Sequence, residues 1–310
     1  MSAKLEIDSG DRFTFGANWA SFLNTLDDER IAAAEQSLRE WLGVTNLRGK
    51  RFVDVGCGSG LFSLAAKRLG ARVHSFDYDP QSVGCARVLR DRYFPGDTDW
   101  MIDEGSVLDT AFVQSLGTFD VVYSWGVLHH TGAMWQALAN VTALVGDRGK
   151  LFISIYNDLG KSSQRWTTIK RLYCKSPAPV QGIMLVTSGA YFLVKRILRR
   201  AFLFQNPLVL PDFAARKRTR GMTVFHDLRD WVGGYPYEVA TPEAVFDFYR
   251  SRGFMLDRLM TCGPKHACNQ FVFQRLASDQ ERQVDASADR TSSTFDAARE
   301  QDMSSLNARD

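Results

Sequence analysis

A glycine-rich loop near residue 56 has the spacing of a ligand-binding turn. Gly56, Gly58 and Gly60 alternate with small residues in the segment VDVGCGSG, which spans residues 53–60. Glycine lets a backbone approach a ligand where a Cβ would collide, and a helix that begins behind the loop offers free N–H groups. Leu61 stands where a dinucleotide-binding loop has its third glycine, so the pattern is GxGxG and not GxGxxG.

Two aspartates accompany this loop. Asp54 precedes the glycines within a predicted strand, and Asp77 ends the next predicted strand in SFDYD, residues 75–79. A carboxylate at a strand end can accept hydrogen bonds from both hydroxyls of a ribose, and these bonds are charge-assisted. A tight turn with an incidental aspartate is the structural alternative. The combination of loop, helix and strand-end acid favours a site for a nucleoside.

Three histidines are candidates for a general base. His129 and His130 follow the predicted strand at 119–124, where a reacting group would lie. An imidazole with a pKa near 6.5 suits proton abstraction at neutral pH; the alternative is that both histidines orient the loop. His226 begins a second cluster that either lines an acceptor pocket or forms an aromatic patch. The other members of this cluster are Asp227, Arg229, Asp230, Trp231, Tyr235 and Tyr237.

Strands and helices that alternate along the chain must position these residues. The patterns predict strands at 50–55, 71–76, around 101, 119–124, 150–155, 254–260 and 269–274. They predict helices at 31–42, 61–69, 82–93, 135–144 and 242–252. Such alternation is typical of an α/β protein with a parallel sheet covered on both faces. The last two strands are close enough in sequence to pair antiparallel at one edge.

The chain resembles the class I S-adenosylmethionine-dependent methyltransferases in DVGCGSG, in Asp77 and in FDVVYSWGVLHH. Within them it is similar to the branch of the ubiquinone-type polyprenyl O-methyltransferases. The resemblance covers residues 45–156 and extends to the strand pair at 253–275. It implies a seven-stranded Rossmann-like sheet with S-adenosyl-L-methionine bound across the carboxyl ends of the first, second and fourth strands.

The resemblance also implies roles for individual residues. Gly56, Gly58 and Gly60 would line the methionine and ribose, Asp77 would hold the ribose hydroxyls, and Asp54 is counted with the cofactor-binding residues. Tyr78 would pack on the adenine, while Ser124 and Trp125 would offer backbone to the methionine amino end. Gly105-Ser106 stands where the family usually has Gly-Asp. The adenine amine would then meet Ser106, the backbone of Val107, or Asp109.

The sequence suggests four regions. Residues 1–44 are expected to form an N-terminal lid and helix, with the aromatic segment at 13–19 closing over the cofactor or acting as a packed staple. Residues 45–275 form the methyltransferase domain, in which 157–240 is a helical insert after the fifth strand, on the acceptor side. Residues 276–310 are rich in acids, Ser and Ala and read as a disordered tail.

The insert is strongly basic and partly apolar. Residues 161–220 contain thirteen Lys and Arg and one acid, Asp212, so the rest of the chain carries a net charge of about −9. Two apolar runs, 182–194 and 201–211, flank Lys195, Arg196, Arg199 and Arg200. Thirteen helical residues reach about 20 Å, short of the ~30 Å hydrocarbon core. The run therefore favours a membrane-surface segment or a lid on an apolar pocket; a plain helical cap is the alternative.

These features predict an enzyme that O-methylates a small lipophilic molecule, either a polyprenyl phenol or the hydroxyl or carboxylate of a long acyl chain. An RNA methyltransferase is a second interpretation, but the basic residues alternate with aliphatic and not aromatic residues, so a nucleic acid is disfavoured. A non-catalytic cofactor-binding protein is the third. Cys262 and Cys268 match no zinc spacing, so no metal is expected. Five cysteines and no apolar N-terminal stretch predict a cytoplasmic protein, peripheral to the inner face of the membrane.

Overall fold

The computed structural model describes residues 3–23, 26–205 and 224–277. The elements before the fourth strand are α1 (Ala3–Asp8), α2 (Phe15–Leu23), α3 (Asp28–Leu42), β1 (Arg51–Val55), α4 (Leu61–Arg68), β2 (Arg72–Asp77), α5 (Pro80–Tyr93), β3 (Trp100–Glu104) and α6 (Thr110–Ser115). The remaining elements are β4 (Phe119–Trp125), α7 (Met134–Thr142), β5 (Val145–Tyr156), α8 (Lys161–Lys175), α9 (Ala178–Phe202), α10 (Val224–Gly233), α11 (Pro242–Arg250), β6 (Phe254–Met260) and β7 (Cys268–Arg275). A 3₁₀ turn, Leu128–His130, follows β4.

The strands form one seven-stranded sheet in the order β3-β2-β1-β4-β5-β7-β6. β1 to β5 are parallel to one another, while β7 lies between β5 and β6 and is antiparallel to both. This confirms the predicted α/β class and the antiparallel closing pair. The strand order reverses between β1 and β4, because β2 and β3 lie on one side of β1 and β4 and β5 lie on the other. Ligands of open α/β sheets bind outside the carboxyl ends of the strands at such a point.

Both faces of the sheet are buried, as expected for strands that read as nearly continuous apolar runs. Phe52 of β1 belongs to a cluster that α3, α4 and α5 cover, whereas its neighbour Val53 points to a cluster covered by α7 and α11. The alternation of successive side chains between the two faces follows from the period of a strand. The two layers of helices fix the sheet, and therefore the loops at its carboxyl edge.

Helices α8, α9 and α10 follow β5 and precede α11, in the region predicted as a helical insert. The first apolar run and the four basic residues after it lie in one helix, α9, of 25 residues. The second run, 201–211, lies outside the described residues after Gln205. Within the described part of the chain, no helix is both long and apolar enough to cross a membrane. The predicted tail lies outside the described residues from position 278 onward.

Candidate active site

The glycine loop is anchored between β1 and β2. The amides of Gly56 and Cys57 both donate to the carbonyl of Phe76, at 2.8 and 3.1 Å, and the loop then turns into α4. Gly58 has a φ of 53°, in the left-handed region that side chains disfavour. A Cβ on Gly58 would lie 3.0 Å from the indole of Trp19. Gly58 is buried, and the absence of a side chain lets the indole of Trp19 pack close to the backbone at the position where the sequence predicts the ligand.

Asp77 stands at the end of β2, directly beside the glycine loop. One carboxylate oxygen accepts from the amide of Gly58 and the other from the amide of Asp79, both at 2.9 Å. Burial raises the pKa of Asp77 to about 6, against the opposing effect of these two amides. A carboxylate has about four lone-pair sites, so two remain for ribose hydroxyls. The residues present therefore fit a bound nucleoside.

Asp54 is placed differently from the loop glycines. It is buried, and its carboxylate accepts from the hydroxyl of Ser63 on α4 at 2.5 Å. Ser63 in turn accepts from Ser75, and Ser75 accepts from the indole of Trp100. Burial raises the pKa of Asp54 to about 7. This network ties α4 to β1, β2 and β3, and a contact between Asp54 and the cofactor stays a prediction.

The predicted adenine region lies after β3. The hydroxyl of Ser106 accepts from the amide of Leu108 at 3.2 Å, and the carbonyl of Val107 accepts from the side chain of Asn140 at 2.8 Å. Asp109 caps α6, because its carboxylate accepts from the amide of Phe112. Each of the three alternatives for the adenine amine therefore already has a hydrogen-bond partner within the chain, and the adenine contact stays a prediction.

Two more predicted cofactor residues flank β4 and are held by its neighbours. Ser124 is buried, and its hydroxyl donates to the carbonyl of Val55 at 3.0 Å. The indole of Trp125 donates to Gln270 of β7 at 3.0 Å. Both side chains are engaged within the sheet, which leaves their backbone as the part that can face a ligand. A contact between their backbone and the cofactor stays a prediction.

The N-terminal helices pack onto this site. The amide of Gly16, at the start of α2, donates to the carboxylate of Asp79 at 2.9 Å, and Trp19 on the same helix lies against Gly58. Tyr78, predicted at the adenine, donates to Glu6 at 3.1 Å. The segment predicted as a lid strip is therefore helical from Phe15 onward. Helix α2 packs over the glycine loop, and the lid and the packed staple both stay predictions.

Arg12 joins the N-terminal helices to the turn after β4. Its guanidinium makes an ion pair with Glu6 at 2.6 Å, lies 4.9 Å from the ring centroid of Tyr78, and donates to the carbonyl of His130 at 3.0 Å. Glu6 and Arg12 were not predicted from the sequence. They are ordinary charged residues, and only the fold brings them to Tyr78 and His130.

His129 and His130 lie in the 3₁₀ turn after β4 and are both buried. His130 donates from Nδ1 to the carbonyl of Pro236 at 2.6 Å, since a carbonyl can only accept. The neutral ring therefore carries its lone pair on Nε2. Neither ring nitrogen of His129 makes a hydrogen bond within the described structure. The third candidate, His226, lies on α10, but its side chain is outside the described residues.

Burial makes both histidines weak bases. It lowers the pKa of His130 to about 3, with further lowering by the charges of Lys170 and Arg12, while the Pro236 carbonyl opposes the shift. It lowers the pKa of His129 well below its usual value, with smaller contributions from His130 and Lys170 against the backbone of Ser154. Both imidazoles are therefore neutral at neutral pH. Their geometry suits orientation of the site better than proton abstraction.

Two residues that the sequence analysis missed complete this part of the site. Tyr156 ends β5, and its ring centroid lies 4.3 Å from that of His129 and 4.9 Å from that of Tyr237. Lys170 on α8 is fully buried, and its ammonium donates to the carbonyl of Trp231. Trp166 and Tyr173 lie four residues before and three residues after Lys170, on the same face of α8. This spacing in the sequence could have indicated that Lys170 lies on the buried face of the helix.

A comparison with known proteins finds a family match for the first half of the chain. A model of the methyltransferase domain family matches residues 27–185, half of the chain. A ubiquinone biosynthesis O-methyltransferase of Xanthomonas oryzae pv. oryzae (strain PXO99A) is 37% identical over 112 residues, covering 36% of this chain and 45% of that protein. The corresponding protein of Xanthomonas axonopodis pv. citri (strain 306) is 37% identical over 109 residues, 35% of this chain and 44% of that protein. The chain thus matches less than half the length of these curated relatives.

One solved structure is similar to this chain over most of its length at low sequence identity. Magnesium protoporphyrin IX methyltransferase from Synechocystis PCC 6803, solved with bound S-adenosylhomocysteine, superposes with a TM-score of 0.48 and 15% identity. The match covers 80% of this chain and 84% of that chain. The sheet order described above establishes the fold without this similarity.

Proposed function

The chain belongs to the methyltransferase domain family, and we propose that it methylates an oxygen of a lipophilic small molecule at the surface of an anionic membrane. It is an S-adenosylmethionine-dependent methyltransferase. S-adenosyl-L-methionine supplies a methyl group on a positively charged sulfur. In this proposal Asp77 and the loop from Gly56 to Gly60 hold the nucleoside end. The residues beyond β4 and β5 align the acceptor oxygen with the methyl group.

The observation that carries the lipophilic part is the surface of α9. None of its residues is buried, although the helix is rich in large apolar side chains. Ile183, Val186 and Leu198 are 64, 73 and 63% exposed. Scattered apolar residues are ordinary on a surface, but a long stripe of them marks an interaction site. Further exposed apolar residues of this stripe and the segment after it are Val180, Tyr191, Leu193, Val194, Phe202, Leu203 and Phe204.

The opposite face of α9 holds the helix on the acceptor side of the protein. Met184 and Leu185 pack with Phe13 in one apolar cluster. Farther along, the ring of Phe192 stacks on Trp166 of α8 at 5.5 Å between centroids. Trp166 lies one helical turn from the buried Lys170. Helix α9 therefore adjoins the aromatic residues at the end of β5, which include Tyr156 and Tyr237. An acceptor drawn from a membrane at α9 would have a short path to these residues.

Basic residues at the end of the stripe favour an anionic surface. Lys195 and Arg199 are exposed, and Arg196 and Arg200 are half-buried. Each Lys or Arg near such a surface contributes about 1 kcal/mol of binding free energy. The uncharged run 182–194 reaches only about 20 Å before these basic residues begin, short of the ~30 Å hydrocarbon core. A helix lying in the membrane interface is therefore the arrangement that suits α9.

Flotation with liposomes tests this proposal. We expect the protein to float with vesicles of phosphatidylcholine and phosphatidylglycerol and to be partly released by salt, because salt screens the charges but not the apolar contacts. The double variant Lys195→Glu and Arg199→Glu should bind much less, as should Ile183→Ser with Leu198→Ser. Arg48→Glu with Arg92→Glu makes the same charge change on exposed residues outside α9 and should float like the wild type.

Equal flotation with pure phosphatidylcholine would contradict the electrostatic part, and no flotation at all would contradict the membrane proposal. Salt-sensitive retention on RNA without flotation would favour the RNA methyltransferase instead. The acceptor itself can be sought by incubating the protein with cell lipid extract and methyl-labelled S-adenosylmethionine. Mass spectrometry of the labelled product would identify the acceptor and the atom that is methylated.

A further inference from the structure

Four ring systems meet beyond the carboxyl ends of β4 and β5. The ring of Tyr156 is in the centre, with centroids of His129, Tyr237 and His130 at 4.3, 4.9 and 5.6 Å. Tyr237 is brought there by the segment between α10 and α11, whereas the histidines come from the turn after β4. The cluster therefore joins the sheet edge, where the methyl group must arrive, to the helices on the acceptor side.

Three polar atoms of this cluster are buried without a hydrogen bond in the described structure. They are the hydroxyl of Tyr237, which is 3% exposed, and the two ring nitrogens of the fully buried His129, of which one lies near the backbone of Ser154 without a full hydrogen bond. Leaving a buried donor or acceptor unpaired costs about 1–3 kcal/mol. One such atom is not unusual in a protein. Three around a single ring at the reacting edge of the sheet indicate that a polar ligand group completes them.

The electrostatics of the cluster favour a negative group. The ammonium of Lys170 lies 4.7 Å from the ring centroid of Tyr237 and 4.4 Å from that of Trp231. Burial is the main cause of the low pKa values of His129 and His130, and the charge of Lys170 lowers both further, with Arg12 adding to the effect on His130. Burial raises the pKa of the nearby Cys174 thiol to about 11, and the charge of Lys170 opposes this rise. Burial lowers the pKa of His266, and the charges of Lys195 and Lys170 lower it further. Positive charge in a buried site stabilises an anion more strongly than it would in water.

We propose that His129, Tyr237 and Lys170 form the acceptor-recognition site, and that it binds the acceptor through an ionised oxygen of a phenol, enol or carboxylic acid. This inference rests on the methyltransferase function above and narrows its substrate class. The hydroxyl of Tyr237 donates to the oxyanion, and the ammonium of Lys170 stabilises its charge. His129 binds a second polar group of the same acceptor.

The chemistry then requires no base from the protein. The acidic acceptor releases its proton to solvent when it binds. A lone pair of the acceptor oxygen forms the new oxygen–carbon bond while the methyl–sulfur bond breaks, and the electron pair of that bond stays on sulfur, which becomes neutral. An unactivated alkyl alcohol would keep its proton and need a base with a pKa near the working pH. The two buried histidines do not meet that requirement.

Binding of 4-nitrophenol to the protein saturated with S-adenosylhomocysteine tests the site, because the nitrophenolate absorbs visible light and the neutral phenol does not. At a pH below the probe's own pKa, we expect the wild type to bind it as nitrophenolate. Tyr237→Phe and Lys170→Met should each weaken this binding about tenfold or more, the range for hydrogen bonds to charged groups. The methyl ether 4-nitroanisole, which cannot ionise, should bind wild type and variants alike.

Tyr123→Phe is the matched control. Its hydroxyl is also buried and unpartnered in the described structure, but its ring packs against Phe52, Phe62 and Phe152 in the sheet core. This variant should bind nitrophenolate like the wild type. Thermal unfolding and S-adenosylhomocysteine affinity establish that each variant is folded, and Lys170→Arg keeps the charge if Lys170→Met is unstable.

The results separate this inference from the broader function. Binding of the neutral phenol, or undiminished nitrophenolate binding by folded Tyr237→Phe and Lys170→Met, would overturn the recognition site and leave the methyltransferase function intact. A protein that binds no S-adenosylhomocysteine and transfers no label to any lipid fraction would overturn the proposed function itself.

Discussion

The backbone amide of Gly58 donates a hydrogen bond to a carboxylate oxygen of Asp77 over 2.9 Å. This bond joins the loop after β1 to the end of β2, two places that are nineteen residues apart in the sequence. It fixes the carboxylate before a ligand binds, so less conformational freedom is lost on binding. The glycine loop and the acid therefore act as one preformed unit.

Asp77→Ala should weaken binding of S-adenosylhomocysteine about tenfold or more. The variant removes charge-assisted hydrogen bonds to the ribose, each contributing about 1.5–3 kcal/mol. Calorimetry measures the affinity, and Asp91→Ala, on the exposed side of α5, is the control that should bind normally. Undiminished affinity in Asp77→Ala would show that Asp77 does not bind the ribose hydroxyls.

The affinity for S-adenosylhomocysteine should also depend on pH through Asp77. Burial raises the pKa of this carboxyl to about 6, so it is ionised above that pH and protonated below it. Only the ionised form gives charge-assisted bonds to the ribose, and the affinity should therefore fall as the pH drops through 6. Calorimetric titrations from pH 5 to 8 would measure this, and Asp77→Asn should be weak and nearly independent of pH. A wild-type affinity that is constant over this range would contradict the role of the ionised carboxylate.

Gly58→Val should impair cofactor binding beyond its effect on stability. Gly58 and Gly96 both have positive φ, 53° and 74°, so valine strains the backbone at either position. At Gly96 an added Cβ would meet nothing within 4 Å, whereas at Gly58 it would lie 3.0 Å from Trp19 and on the predicted ligand side. We expect both variants to lose thermal stability and only Gly58→Val to lose S-adenosylhomocysteine affinity. Equal affinities in the two variants would show that the loop does not contact the ligand.

The sheet and its glycine loop could be predicted because their signals are local. The strand Phe254–Met260 and the start of the helix at Leu61 have the predicted positions. β5 begins at Val145 and not at 150, because Gly146 and Gly149, which read as breakers, remain within the strand. Short helices such as α6 carry too few residues for a clear period.

The acceptor side could be predicted only in part, because it depends on contacts between distant segments. Arg12 reaches the carbonyl of His130 across 118 residues, and Tyr156 meets Tyr237 from another element. The burial of Lys170 contradicts the usual exposure of lysine and follows from the aromatic residues that cover it. The spacing of Trp166 and Tyr173 can indicate a buried face of α8, but no pattern within one segment shows which distant residues meet there. The domain boundaries at 44, 157, 240 and 275 likewise stay predictions.

Trp19→Ala should speed the release of S-adenosylhomocysteine. The indole lies against Gly58, and the helix that carries it is fastened by the bond from Gly16 to Asp79. Trp19 is half-buried, and full burial of a large apolar side chain contributes about 1.5–3 kcal/mol. If α2 covers the ligand, release should therefore become faster on the order of tenfold. Stopped-flow displacement measures this rate, with Trp135→Ala on the exposed face of α7 as the control. An unchanged release rate would make α2 a structural staple and not a lid.

The last prediction concerns the histidines after β4. A histidine base of ordinary pKa would make turnover rise with pH near 6.5, and its loss would lower the rate about 10²–10⁴-fold. Burial lowers the pKa of His130 to about 3, so the ring is already neutral across pH 5 to 8 and gives no titration there. With saturating cofactor and the acceptor found in lipid extract, we therefore expect no histidine step in the pH profile.

His130→Gln should keep a donor for the Pro236 carbonyl and retain the rate within about tenfold, less than the loss of a base produces. His130→Ala lacks that donor and should lose more rate and thermal stability, because the carbonyl is left unpaired. A loss of 10²-fold or more in both variants, with unchanged S-adenosylhomocysteine affinity, would instead make His130 the base. His226→Ala should be measured together with these variants. A large loss of rate in His226→Ala alone would assign the base to His226 on α10.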